Sequence, residues 1–220
     1  MKGQHSANLK RKLPRFYAII DAGRFADGKN ALRQTVDFAQ QLLEGGATLI
    51  QYRNKKSGAR EMLSQVRELR RVAGAYATLI MNDRADLCLA SGCDGVHVGQ
   101  EDLSVEGARN IVGETAFVGI STHNMQQILQ AAHTSADYIA VGPVFATKTK
   151  MNPEPVVGLE LIRTARKTTS KPIVAIGGIT NANCRSVIEA GADSIAVISG
   201  LQASPREGVE QFLRELSVAD

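Results

Sequence analysis

The sequence predicts an α/β protein, a single (β/α)8 TIM barrel with a short N-terminal extension. Eight short segments rich in Ile and Val recur along the 220 residues, and most are apolar on both faces, as parallel strands buried on both sides are. Segments with helical periodicity lie between them. The length is that of an ordinary single barrel.

The predicted strands are short and evenly spread. In order they are FYAIID (16–21), TLIQYR (48–53), TLIMND (78–83), DGVHVG (94–99), AFVGIS (116–121), DYIAVG (137–142), PIVAIG (172–177) and DSIAVI (193–198). An open doubly wound sheet is the rival fold, but it usually has fewer strands and a glycine-rich phosphate loop after its first strand. Here the first strand is followed by Asp21-Ala22-Gly23-Arg24, which lacks that loop.

Helical spacing of apolar residues predicts the connecting helices, and glycines mark several of their ends. They are 31–46, 60–74, 85–91, 104–112, 125–133, 159–167, 181–192 and 208–218. No linker or change of composition divides residues 16–218. We therefore expect one catalytic barrel domain over residues 16–220, preceded by a flexible basic extension over residues 1–15.

Charge is unevenly distributed. The extension carries five basic residues and no acid, so the rest of the chain has a net charge of −1 although the whole chain has +4. A solvated terminus is the plain interpretation, and contact with an anionic partner is the alternative. No apolar stretch follows these basic residues, so they do not form a secretory signal.

Composition excludes several classes of function. Aromatic residues make up 5% of the chain and Trp is absent, which argues against base stacking on nucleic acid. No apolar run approaches the roughly 20 residues that a bilayer needs. Three cysteines without a C-x-x-C motif, Cys88, Cys93 and Cys184, predict neither a disulfide framework nor a zinc site, and they fit a reducing cytoplasm.

Polar residues collect where the strands end. In a TIM barrel the chemistry lies at the carboxyl ends of the strands, and here nearly every strand ends in a polar residue or a glycine. Asp83 and Asp102 follow strands 3 and 4, which are neighbours in a barrel. Two carboxylates with open positions suit Mg²⁺ bound with substrate phosphates. Each could instead be a helix N-cap, but both together, beside basic groups, favour the metal.

Basic side chains predict an anionic substrate. Gln51, Arg53 and Lys55 alternate along the end of strand 2, so they share one face. Arg offers a planar fork to phosphate oxygens and Lys a point charge, whereas a solvated rim is the plain alternative. Residues 143–157 form a long loop after strand 6, and its hydroxyls and lysines, residues 147–150, also suit phosphate.

A second phosphate site is predicted on the opposite side of the barrel. Gly177-Gly178 follows strand 7 and Ser199-Gly200 follows strand 8, the usual phosphate position of this fold. Glycines let backbone N–H groups approach phosphate oxygens. No nucleophile and base pair stands out, because His97 fits a core histidine and Ser121 beside His123 lacks an oriented acid. The sequence thus predicts two anion subsites, one of them assisted by a metal.

Eight motifs in order over residues 16–201 resemble those of the thiamine phosphate synthases. They are Gly46-Ala47 with Gln51-Tyr52-Arg53-Asn54-Lys55; Asn82-Asp83; residues 95–103 (GVHVGQEDL); 119–123 (GISTH); 142–150 (GPVFATKTK); 158–160 (GLE); 177–179 (GGI); and 197–199 (VIS). The sequence departs from the family pattern at Ile20, Tyr52 and Asn54, and none of these is a proposed ligand.

The resemblance implies an enzyme that joins a hydroxymethylpyrimidine diphosphate to a thiazole phosphate, giving thiamine phosphate and pyrophosphate. It implies that Mg²⁺ is held by Asp83 and Asp102. It places Gln51 near the pyrimidine and the thiazole phosphate on five positions: Thr147, Thr149, Gly178, Ile198 and Ser199. It places the diphosphate on Arg53, Lys55, Asn82, Ser121 and Lys150, of which Arg53, Lys55, Ser121 and Lys150 would be catalytic.

Two alternatives remain. A thiazole tautomerase, a related barrel, would need the monophosphate subsite and an acid or base such as His123, but not the diphosphate groups. A non-catalytic barrel could instead sense thiamine intermediates. The expected partners are small-molecule substrates, with no nucleic acid and no membrane, in a cytoplasmic enzyme that could form a homo-oligomer.

Overall fold

The computed structural model describes residues 13–25, 30–147 and 154–217. Eight parallel strands form a closed barrel in chain order, and β1 pairs with both β2 and β8. The strands are β1 (Phe16–Asp21), β2 (Leu49–Arg53), β3 (Thr78–Asn82), β4 (Gly95–Val98), β5 (Phe117–Thr122), β6 (Tyr138–Val141), β7 (Ile173–Ile176) and β8 (Ser194–Val197). All eight predicted strands are confirmed, each boundary within one residue.

Eight helices surround the barrel, so the predicted (β/α)8 fold is confirmed. They are α1 (Ala31–Glu44), α2 (Ala59–Ala73), α3 (Ala85–Ser91), α4 (Val105–Val112), α5 (Met125–Ala132), α6 (Gly158–Thr168), α7 (Cys184–Glu189) and α8 (Pro205–Ser217). The prediction placed the start of α7 at Asn181. The chain turns first, because the Thr180 N–H donates to Asn183 Oδ1 at 2.8 Å. Helix α8 begins earlier than predicted, at Pro205, whose fixed φ suits a first helical turn.

Strand residues alternate between two apolar layers. In β1, Phe16, Ala18 and Ile20 pack outward against the helices, whereas Tyr17 and Ile19 point into the barrel. Both layers are buried, which explains why the strands are apolar on both faces. The inner layer also contains tyrosines whose hydroxyls need partners, and these become important at the site.

Three arginines repeat one arrangement at the amino-terminal face of the barrel. Each arginine lies near the end of a helix and pairs with an aspartate that precedes a strand, and the same carboxylate accepts the N–H of a neighbouring strand. The sets are Arg70, Asp94 and Leu79; Arg109, Asp137 and Val118; and Arg166, Asp193 and Ile173. These pairs fasten helix, loop and two strands together on the face opposite the site.

The segment before β1 contacts the barrel. Leu13 is only 6% exposed and packs in the inner layer. Arg15 donates to the Leu216 carbonyl at 3.0 Å, and its own carbonyl accepts the Ile195 N–H at 2.9 Å. Residues 13–15, predicted as part of the flexible extension, are therefore packed against the barrel, whereas residues 1–12 lie outside the described residues. Within the described part of the chain, no helix combines the length and apolar character needed to cross a membrane.

Candidate active site

A cavity opens at the carboxyl ends of the strands, where the sequence places the chemistry. The volume of the cavity, including the part that is open to solvent, is about 980 Å³. The cavity is lined by eight of the predicted site residues: Gln51, Arg53, Asn82, Ser121, Thr147, Gly178, Ile198 and Ser199. The structure thus brings together groups from β2, β3, β5 and the loops after β6, β7 and β8. Two further predicted residues, Thr149 and Lys150, lie outside the described residues.

The predicted metal ligands form a cluster at the rim beside this cavity. Asp83 directly follows Asn82 and contacts both Lys55 and Asp102. Burial and the neighbouring Asp102 raise the pKa of Asp83 despite the Lys55 ammonium. Burial also opposes ionisation of Asp102, but hydrogen bonds from Asp83 and from the Gly99 N–H outweigh it and lower its pKa.

Neither aspartate is a helix N-cap. Helix α3 begins after Arg84, and no side chain caps it, whereas the Ser104 hydroxyl caps α4 by accepting the Gly107 N–H at 3.1 Å. Asp83 has φ of 61°, and among the described residues it is the only non-glycine with positive φ. Such strained backbone persists where the surroundings impose it, often at functional sites.

The chemistry of this donor set fits Mg²⁺. Two carboxylates close enough to share a proton repel each other when both are ionised, and a divalent cation removes that repulsion. No described group of three or more His, Cys, Asp or Glu side chains forms a metal site on its own. Two carboxylates suit Mg²⁺, which commonly completes its coordination with water and substrate phosphates.

Two carboxylates of the site pair with the cations at the end of β2 and in the loop that follows it. Arg53 Nη1 lies 2.9 Å from Asp21 Oδ1, and both side chains are largely buried. Lys55 is half exposed and pairs with Asp83. From the sequence, Asp21 is identified only as the last residue of a strand. Its position opposite Arg53 in the β1–β2 pairing gives it this role.

The opposite wall of the cavity is built from close-packed backbone. Gly178 has φ of +64°, and a Cβ there would lie 2.5 Å from the Ala146 carbonyl oxygen. The Asn183 side chain donates to the Gly178 carbonyl at 3.0 Å and accepts the Thr180 N–H, so it fixes this turn. Ser199 begins a short 3-10 turn after β8. Glycine is required at residue 178 by both the conformation and the space.

Sequence reasoning missed a buried hydrogen-bonded chain beneath the cavity. It links Gln51, Tyr17, Tyr138, His97 and Ser121 through side-chain contacts of 2.8 to 3.1 Å. His97, interpreted as a core histidine, is indeed buried at 7% exposure but faces Ser121. The tyrosines showed no signal beyond strand alternation, which places Tyr17 inside the barrel.

No serine triad forms around Ser121. Its hydroxyl contacts His97, and the other ring nitrogen of His97 contacts the Tyr138 hydroxyl rather than a carboxylate. His123 lines the cavity separately and donates from Nδ1 to the Gly142 carbonyl at 2.6 Å. The arrangement lacks the oriented acid that nucleophilic catalysis by serine requires.

Together the fold and this cavity define a TIM-barrel enzyme whose site lies at the carboxyl ends of the strands. Residues 16–201 match the family model described as thiamine monophosphate synthase. The chain belongs to the thiamine monophosphate synthase family, whose members are transferases of thiamine biosynthesis.

Individual relatives agree over nearly the whole chain. A thiamine-phosphate synthase of Koribacter versatilis is 57% identical over 205 residues, covering 93% of this chain and 97% of the relative. A thiamine-phosphate synthase of Chloroflexus aurantiacus is 44% identical and covers 86% of each chain. A solved thiamine phosphate pyrophosphorylase from Pyrococcus furiosus superposes with a TM-score of 0.82 at 35% identity, covering 96% of this chain and 99% of that one.

Proposed function

We propose that this cavity joins 4-amino-2-methyl-5-hydroxymethylpyrimidine diphosphate to 4-methyl-5-(2-phosphoethyl)thiazole, giving thiamine phosphate and pyrophosphate. With the carboxylated tautomer of the thiazole phosphate as the second substrate, the same coupling would also release CO2. One observation carries the proposal. A single cavity has basic and amide groups from β2 and β3 on one wall and the glycine-rich turns after β7 and β8 on the other. Two phosphorylated substrates bound at these walls would meet between them.

The diphosphate side neutralises the leaving group. Asp83 and Asp102 are the proposed Mg²⁺ ligands, and the bound cation would offset negative charge on the diphosphate. Arg53 and Lys55 add fixed positive charge, and Lys150 from the loop after β6 is proposed to do the same. Asn82 and Ser121 would hydrogen-bond the diphosphate, and Gln51 would hold the pyrimidine ring.

The thiazole side binds a monophosphate whose charge hardly changes during the reaction. Backbone N–H groups around Gly178, Ile198 and Ser199, with the hydroxyls of Thr147 and Thr149, are the proposed contacts. Because these contacts are equal in the ground and transition states, they set affinity for the thiazole phosphate more than the rate of bond cleavage.

The reaction needs stabilised charge rather than a strong base. The C–O bond between the pyrimidine methylene and the diphosphate breaks, and its electron pair leaves with pyrophosphate. The amino-substituted ring stabilises the resulting cation, and the lone pair of the thiazole nitrogen forms the new C–N bond. No proton is removed in these two steps. This agrees with the contacts around Ser121, where the His97 ring meets the Tyr138 hydroxyl and not a carboxylate that would orient it as a base.

The test is turnover of the two substrates with Mg²⁺, measured as thiamine phosphate and pyrophosphate formed in equal amounts. A thiazole tautomerase would instead change the thiazole phosphate without the pyrimidine substrate, and a sensing barrel would bind ligands without product. Either of those results would refute the proposal.

We also propose a cytoplasmic enzyme, because Cys88, Cys93 and Cys184 are all free thiols. A homo-oligomer stays a prediction.

A further inference from the structure

Five side chains form one continuous hydrogen-bonded chain across the floor of the cavity. Gln51 Nε2 donates to Tyr17 Oη at 2.9 Å, and the two tyrosine hydroxyls lie 3.1 Å apart. Tyr138 Oη lies 3.0 Å from His97 Nδ1, and His97 Nε2 lies 2.8 Å from Ser121 Oγ. These residues come from five different strands, so the chain connects the pyrimidine end of the site to the diphosphate end.

Counting protons gives this chain a direction. Burial raises the pKa of both tyrosines far above the ordinary value, so each hydroxyl keeps its single hydrogen. Tyr17 already accepts from Gln51, so its own hydrogen goes to Tyr138. The Tyr138 hydrogen then goes to His97 Nδ1, which leaves the neutral imidazole protonated at Nε2 and donating to Ser121 Oγ.

The opposite order of donors and acceptors leaves one hydroxyl hydrogen of the chain without an acceptor. If Ser121 donated to His97, then His97 would donate to Tyr138 and Tyr138 to Tyr17. With the Gln51 amide in its orientation in this structure, Tyr17 would accept from both Tyr138 and Gln51, and its own hydroxyl hydrogen would have no acceptor among the contacts described for it. Tyr17 is 1% exposed, so an unpaired donor there is unfavourable.

We propose that Tyr17, Tyr138 and His97 are positioning residues that keep Ser121 a hydrogen-bond donor toward the diphosphate and Gln51 an acceptor toward the pyrimidine amino group. This proposal rests on the proposed function. An anionic diphosphate only accepts hydrogen bonds, so a serine that donated back to His97 would turn lone pairs toward it. With its NH₂ group used on Tyr17, Gln51 has its carbonyl oxygen available for the amino group of the substrate.

The aromatic rings hold the chain in place. His97 and Tyr138 stack with ring centroids 5.5 Å apart, and Tyr138 meets Tyr17 edge to face at 6.2 Å. Tyr138→Phe therefore removes one hydroxyl and keeps the ring packing. The variant should lower kcat/KM for the pyrimidine diphosphate about tenfold, the effect of one hydrogen bond to a charged group, while KM for the thiazole phosphate is unchanged.

A double-mutant cycle separates positioning from mere stability. If Tyr138 acts through Ser121, the double variant Tyr138→Phe with Ser121→Ala should be no slower than Ser121→Ala alone. The matched control is Tyr52→Phe, which removes another buried hydroxyl, bonded to Gln65 Oε1 at 2.6 Å outside the chain. Losses from Tyr52→Phe and Ser121→Ala should multiply. If the losses from Tyr138→Phe and Ser121→Ala also multiplied in the double variant, the proposal would be overturned.

A second measurement needs no stable variant of the tyrosines. The ¹⁵N shifts of His97 in the wild-type protein report which ring nitrogen carries the hydrogen, and the chain requires the Nε2–H tautomer. An Nδ1–H tautomer would overturn the proton order whether or not the enzyme turns over. Wild-type protein without turnover would contradict the proposed function, whereas active protein with independent Tyr138 and Ser121 losses would contradict the positioning chain alone.

Discussion

Gly178→Ala should damage the thiazole phosphate subsite far more than it damages the fold. The residue has φ of +64°, a conformation that costs a non-glycine residue about 1–2 kcal/mol. The new Cβ would lie 2.5 Å from the Ala146 carbonyl oxygen, whereas a carbon–oxygen contact is normally about 3.3 Å or longer. The loop that carries Thr147 must therefore move by roughly 0.8 Å relative to Gly178.

A displacement of this size in a substrate-binding wall costs about a hundredfold in catalytic efficiency, or about 2.7 kcal/mol. Steady-state kinetics should show the loss in kcat/KM for the thiazole phosphate. The matched control is Gly92→Ala, because Gly92 has φ of +69° and a Cβ there would meet no atom within 4 Å apart from its own chain neighbours. Gly92→Ala should lower the melting temperature and leave kinetics unchanged. Equal kinetics for the two variants would refute the assignment of Gly178 to the subsite.

Three other perturbations test separate parts of the account. Asp102→Asn should reduce turnover about a hundredfold and raise the Mg²⁺ concentration needed for half-maximal rate, because Asp83 alone would hold the ion; an unchanged Mg²⁺ requirement would contradict the metal assignment. Asp137→Ala should lower the free energy of unfolding in urea by about 3 kcal/mol, because Arg109 would keep a buried charge without its carboxylate, and a change below 1 kcal/mol would contradict this. Removing residues 1–12 should leave kcat unchanged, and loss of folding or turnover would give that segment a role.

The barrel could be predicted because its signals are local and periodic. Each strand is a short apolar run, and each helix has its own apolar face. The exceptions were helix starts that depend on single side chains, such as the Asn183 turn before α7. The burial of Leu13 against the inner layer was not predicted. A lone apolar residue in a basic segment gives no periodic signal.

The site could be predicted only where strand ends carry distinctive residues. Their positions at strand ends identify Gln51 and Arg53 on β2, and the glycines after β7, as candidate site residues. The pairing of Asp21 with Arg53 depends on strand register, which the sequence does not state. The chain from Tyr17 to His97 depends on which inward residues face each other across the closed barrel, and that information is absent from any single segment.

The most direct test of two subsites in one cavity is a crystal structure with thiamine phosphate, pyrophosphate and Mg²⁺ bound. We expect pyrophosphate and the metal beside Asp83, Asp102 and Arg53, and the phosphate of thiamine phosphate at the turns of Gly178 and Ser199. The pyrimidine ring should lie at Gln51. Pyrophosphate at the turns of Gly178 and Ser199 with the monophosphate at Arg53, or a metal away from both aspartates, would contradict the assignment of the two subsites.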